Sequence, residues 1–290
     1  MTTAAFGLVI ASAFAHAGWN FLLKQSGHKL VFIWSLGLVA AAILLIPAVA
    51  FAAADGIDAR GLLFGVVSGL IHGFYGLALA RAYHLGDLST VYPVSRGMGP
   101  ALVPIFAVLL LDERVSPLAG SGIALVVIGV GTLHMNERLW RDLRQPARAL
   151  SSRATQLALV TGALIAAYSL WDKAALHHLP PVTLNGFSMA GHFLVLTPLA
   201  ALSGTSAIGA EWRRGGRHIL TAAVLSALAY TLVLLALTTS RVSYVAPVRE
   251  VGIVLGAWMG VVFLGEGYGS ARLLGSALIV AGVLMLAVAP

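Results

Sequence analysis

Residues 30 to 53, LVFIWSLGLVAAAILLIPAVAFAA, pass without one charged side chain, and the chain returns to this pattern along its whole length. A run of about 20 apolar residues is what a helix needs to cross a hydrocarbon layer about 30 Å thick. Ten such spans can be drawn, near residues 4–23, 30–53, 61–83, 89–111, 117–135, 154–175, 182–203, 218–239, 243–264 and 271–289. Lipid offers backbone amides no water to bond, so each span must close its hydrogen bonds internally, and an all-α membrane protein is expected. Composition agrees, with 59% of the residues hydrophobic and only 10% charged, where a soluble domain carries about 25% charge.

The same reading excludes several classes. Ala13-Phe14-Ala15 looks like a signal cleavage site, but no Lys or Arg precedes Lys24, so the first span is expected to stay as a transmembrane helix. There is no cysteine, which removes disulfides, Fe–S clusters and thiolate metal sites. The formal charge of +7 sits in short connections between spans, the pattern of membrane orientation rather than nucleic-acid binding. The histidines form no pair at ligand spacing, so neither metal nor cofactor is expected. Walker, G-x-S-x-G and H-E-x-x-H motifs are missing, which argues against an enzyme and against ATP-driven transport.

The chain also repeats itself. STVYPVSRGMGP, from Ser89, returns as SYVAPVREVGIV, from Ser243; Gly18-Trp19-Asn20 answers Leu170-Trp171-Asp172; Glu113 answers Glu266; and Gly122–Val130 answers Gly275–Val283. A duplication of five spans accounts for this, with repeats at 1–136 and 154–290 and a basic loop at 137–153. Five is odd, so the second copy enters the membrane from the opposite side, giving two inverted five-helix repeats with a substrate site between them near midplane. Lys24, Lys29, Arg81, Arg213, Arg214, Arg217, Arg272 and the arginines of the loop fall on one side; Arg60, Arg114, Lys173 and Arg241 fall on the other. By that asymmetry the loop is cytoplasmic and both termini lie outside the cell, or inner, membrane. Trp140 and Trp212, each beside an arginine, are expected as interfacial anchors.

The two proline-centred segments carry the candidate site. Pro93 and Pro247 are expected to interrupt the fourth and ninth helices, bringing Arg96, Arg249 and Glu250 to one cavity, because an ionisable group in hydrocarbon marks a polar pathway. Two readings stay open for these charges: a structural ion network that includes Asp172, or a guanidinium fork that clamps a carboxylate or phosphate. His16, Asn20, His72, Tyr75, Tyr168, Trp171, Tyr230 and Tyr244 are candidate lining residues; His16 and Tyr168 occupy matching positions three residues before each repeat's tryptophan. Asp172 is the proton-coupling candidate. Glu113 and Glu266 are expected to satisfy amides at the start of the helix that follows each. Stripes Gly61, Gly65, Gly69, Gly73 and Gly252, Gly256, Gly260 predict close helix contacts.

Ten spans in two copies, the Trp-Asn and Trp-Asp pairs, the proline-centred fourth helix and the Glu before a glycine-rich fifth resemble the drug/metabolite transporter superfamily, EamA type. The resemblance implies a secondary transporter of a small metabolite, such as an exporter of an amino acid, working by alternating access. An importer or exchanger of phosphorylated or sugar-like compounds, or an efflux carrier for drugs and cations, is the alternative on the same architecture. Aromatic amino-acid exporters of this superfamily are lined mainly by uncharged residues. Arg96, Arg249 and Glu250 depart from that and approach the phosphate-sugar branch, whose corresponding helices carry basic residues. The expected partners are the small-molecule substrate, the lipid bilayer and, through Asp172, protons.

Overall fold

The computed structural model describes residues 1–54, 56–85, 88–135, 150–264 and 269–290. Every regular element among them is helical. The first repeat comprises α1 (Thr3–Lys24), α2 (Lys29–Ala54), α3 (Ala59–Leu85), α4 (Leu88–Leu111) and α5 (Pro117–Leu133). The second comprises α6 (Arg153–Ala175), α7 (Pro181–Leu202), α8 (Gly204–Thr239), α9 (Val242–Val248), α10 (Val251–Leu264) and α11 (Ser270–Val288). Among the described residues nine segments are long and apolar enough to cross a membrane, with α9 and α10 forming one of them, and α5 is a shorter tenth. Large apolar side chains such as Leu45, Ile46, Leu109 and Leu284 stand exposed on the outer surface, as lipid-facing residues should.

Packing follows the inverted repeat. Helix α1 lies on α8 and α10, and its counterpart α6 lies on α3 and α4. The match is closest where α5 meets α11. A Cβ on Gly122 would come within 2.8 Å of the Gly282 carbonyl, and one on Gly129 within 2.9 Å of the Gly275 carbonyl. Gly275 and Gly282 are the repeat counterparts of Gly122 and Gly129, so each glycine meets the partner of the other, as two antiparallel copies must. With no hydrophobic driving force between helices in lipid, such backbone approach supplies the dispersion contact that holds them together. The α3 stripe behaves the same way against α7: a Cβ on Gly65 would strike the Phe187 ring at 2.6 Å, and one on Gly191 would run into the Gly69 carbonyl. On α10, Gly252 has only ordinary contact with Ala13 and Gly256 faces open space, so spacing alone overstated the contact at these two positions.

Two spans differ from expectation. The eighth begins at Gly204 rather than near 218, with a bend at Gly215 (φ −135°, ψ 23°), which a glycine pair at 215–216 tolerates. The added segment folds back on α2: Glu211 accepts from the His28 amide at 2.8 Å, and the Trp212 indole donates to Ser35 Oγ at 2.9 Å. Trp212 is thereby a packing residue pinned to α2. The ninth span breaks as expected, with Arg249 and Glu250 in a turn between α9 and α10. The fourth does not break. The Pro93 side chain is outside those described, but the backbone there is helical, and α4 runs through it. A proline within two turns of a helix start deletes one bond near a fraying end rather than dividing the helix at midspan. Glu266, Trp140 and the loop from 136 to 149 lie outside the described residues.

Candidate functional site

Seven elements and one turn enclose a cavity of about 380 Å3. Its mouth is marked by Lys29 at the start of α2 and His84 near the end of α3, both exposed, and its depth is reached by Arg96, Tyr230 and Arg249. Of the residues expected to line it, His16, His72, Tyr75, Arg96, Tyr168 and Arg249 do so. His16 and Tyr168, the matched pair of the two repeats, face each other's side of the same space. Much of the remaining wall is apolar, from Leu30, Ile33, Leu79, Met189 and Leu196.

Asn20, Trp171 and Tyr244 are not part of this lining. The Asn20 amide turns back to the His16 carbonyl at 2.8 Å, satisfying its own helix. Trp171 donates to the Phe64 carbonyl at 2.9 Å and packs its ring on Phe64, so it ties α6 to α3. Tyr244 is buried at the far end, where its hydroxyl donates to the Pro290 carbonyl at 2.7 Å. Helical position could place these side chains in a membrane helix but not choose between cavity and neighbour.

The charges divide into two kinds. Arg96 donates to Glu250 Oε2 at 3.2 Å, with both side chains nearly excluded from solvent, so these two neutralise each other across the repeats. Arg249 has no carboxylate partner among the described residues. It lines the cavity and lies with its guanidinium 5.6 Å from the centre of the Tyr230 ring. The same Tyr230 donates its hydroxyl to Asp172. Asp172 is fully buried behind the lining; it also accepts from Ser68 Oγ at 2.6 Å and pairs with His72 Nε2 at 3.0 Å. Three partners converging on one carboxylate offset the large desolvation penalty of burying it. Lys173, one residue on, points away and caps α8 through the carbonyls of Leu237 at 2.5 Å and Ser240 at 2.9 Å.

The end of the bundle opposite the mouth is sealed. Glu113 accepts from the amides of Val242 at 2.8 Å and Ser243 at 3.0 Å and from Ser243 Oγ at 2.5 Å. It does cap a helix start, but that of α9 in the other repeat; α5, the next helix, is capped by Ser116, whose Oγ accepts from the Ala119 amide. Arg241 adds a bond to the Arg114 carbonyl at 2.9 Å. Thus a cavity open at one end, closed at the other, lies between two inverted repeats, as a carrier requires.

A family model for EamA-like transporters matches residues 3–134 and again 153–288. The chain belongs to the EamA-like transporter family. A solved structure described only as "Crystal structure of protein" aligns with this EamA-like chain at a TM-score of 0.72, over 99% of this chain and 98% of its own. At 17% identity that likeness shows the fold alone. No match is found among curated proteins. An EamA-like transporter is a multi-pass membrane carrier of the drug/metabolite type, and the cavity residues that the expectation omitted include Lys29, His84, His192 and Met189. Tyr230, expected as an aromatic in an apolar span, lines the cavity too. His192 and Met189 carried no signal beyond their helix.

Proposed function

We propose that this transporter moves a small organic anion, or a zwitterion that presents a carboxylate, with an apolar body. One observation carries the reading: Arg249 faces the cavity without an acidic partner among the described residues, while Arg96 is already matched by Glu250. A guanidinium in a low-dielectric cavity is a strong site for a carboxylate, because its planar fork donates two parallel bonds. Of the two roles open to the arginines, Arg249 then takes the clamp and Arg96 the ion network. Leu30, Ile33, Leu79 and Leu196 suit an aliphatic or aromatic body better than the hydroxyl-rich body of a sugar phosphate. The Lys/Arg asymmetry supports a mouth facing the cytoplasm, since Lys24, Lys29 and Arg81 lie at that end, and export is the direction that fits loading from within. Asp172, linked to the cavity through His72 and Tyr230, is the carboxylate of the proton-coupling site in this reading.

Counterflow in proteoliposomes tests it. Labelled carboxylates and amino acids of this size should accumulate transiently against unlabelled substrate, and their uncharged amides should not compete. Arg249→Gln should abolish the signal with little change in thermal stability, since no ion pair is broken. Equal competition by amide and acid would overturn the assignment.

A further inference from the structure

We infer that His72 takes up one proton for each net negative charge the cavity binds, so that a monoanion travels with a proton and a zwitterion travels without one. The inference rests on Arg249 as the anion clamp. Among the described residues around the cavity, Arg96 and Glu250 cancel. Arg249 and Asp172 also cancel, and Tyr230 joins them, its ring beside the guanidinium and its hydroxyl on the carboxylate. Lys29 stands exposed to solvent at the mouth, so with His72 neutral the buried part of the empty site is uncharged. A monoanion on Arg249 leaves one uncompensated negative charge in a region of low dielectric, which is expensive unless a cation or proton enters with it.

His72 is built to receive that proton. Its Nε2 lies 3.0 Å from Asp172 Oδ2, while no partner for Nδ1 is found among the described residues and the ring borders the cavity. The ring stacks on Tyr168 at 4.2 Å and meets Tyr230 edge-on at 5.0 Å, which holds it in place against the cavity. The other groups facing it do not compete. His192 from α7 is engaged by the His72 backbone and has no acidic partner. His16 across the cavity has its Nδ1 taken by the Trp19 indole at 3.2 Å. Tyr75 and Tyr168 are phenols, and Arg96 and Arg249 stay protonated. Among the described residues in the buried part of the cavity, the His72–Asp172 pair is thus the proton acceptor that a bound anion can reach. By linkage, a bound anion raises the proton affinity of His72 as much as the proton raises the anion's affinity.

Calorimetric titration of the whole protein in nanodiscs, repeated in buffers of different ionisation enthalpy, counts the protons. Phenylacetate (net charge −1) and phenylalanine (net charge zero) are the probes, since they share a ring and differ by the ammonium group. Phenylacetate should take up close to one proton per molecule between pH 6 and 8, with affinity falling by up to about tenfold per pH unit; phenylalanine should take up none. His72→Gln should remove both the uptake and the pH slope while binding persists. Asp172→Asn, a second variant of unchanged shape, should do the same. Phenylacetate binding without proton uptake, or uptake that survives in folded His72→Gln, overturns the inference and leaves the Arg249 clamp standing. Affinity unaffected by Arg249→Gln, or no binding of either probe, removes the clamp, and the inference falls with it.

Discussion

Changing Glu113 to Gln should open the sealed end of the cavity. Its two carboxylate oxygens accept three bonds from Val242 and Ser243, at 2.8, 3.0 and 2.5 Å, across the two repeats. An amide has one acceptor oxygen, so at least one of these bonds is lost, an N–H donor faces an NH2 group, and the charge that complements the start of α9 disappears. A hydrogen bond to a charged group contributes roughly 1.5–3 kcal/mol, and because Glu113 is only half-buried we take about 2 kcal/mol. That weight lies on the closed side of the equilibrium, so the population open at this end should rise about 30-fold. The chain has no cysteine, which permits a clean probe: Ser226→Cys lines the cavity. In membrane vesicles of the two orientations, an impermeant thiol reagent should label the probe far faster from the mouth side; Glu113→Gln should raise labelling from the other side about 30-fold. A folded variant with unchanged one-sided labelling would refute the idea that this cap holds the seal.

Two other expectations follow from packing and charge. Arg96→Gln leaves Glu250 buried and unpaired and should destabilise the protein by about 3 kcal/mol, lowering its melting temperature; adding Glu250→Gln should recover most of the loss. Thermal unfolding in detergent checks both, and an additive double mutant would count against the pair. Gly191→Ala drives a methyl into the Gly69 carbonyl, so it should force α3 from α7 and destabilise by at least about 2 kcal/mol. Gly256→Ala, where a Cβ meets nothing, should be neutral or stabilise by up to about 1 kcal/mol.

Much of the architecture was legible because lipid leaves few choices. Apolar run length determines where helices lie, the odd repeat determines that the second copy is inverted, and both follow from hydrogen-bond closure and span length without side-chain detail. The matched positions of His16 and Tyr168 were readable for the same reason: a true repeat places equivalent residues on equivalent faces, and both border the cavity. The tertiary structure alone decided which charge is matched and which is not. Arg96 and Arg249 look alike in their segments, and only the approach of α4 to the turn after α9 gives one of them Glu250 and leaves the other facing the cavity. Glu113 shows the same limit. A carboxylate ahead of a helix suggests a cap, but the helix it caps is 129 residues away, because inverted repeats bring the end of α4 beside the start of α9. Asp172 needed both levels: the sequence marks an acid within a membrane span, and only the bundle joins it to His72, Ser68 and Tyr230. Local pattern determines which groups enter the membrane; long-range packing determines whether each of them meets a partner or a substrate.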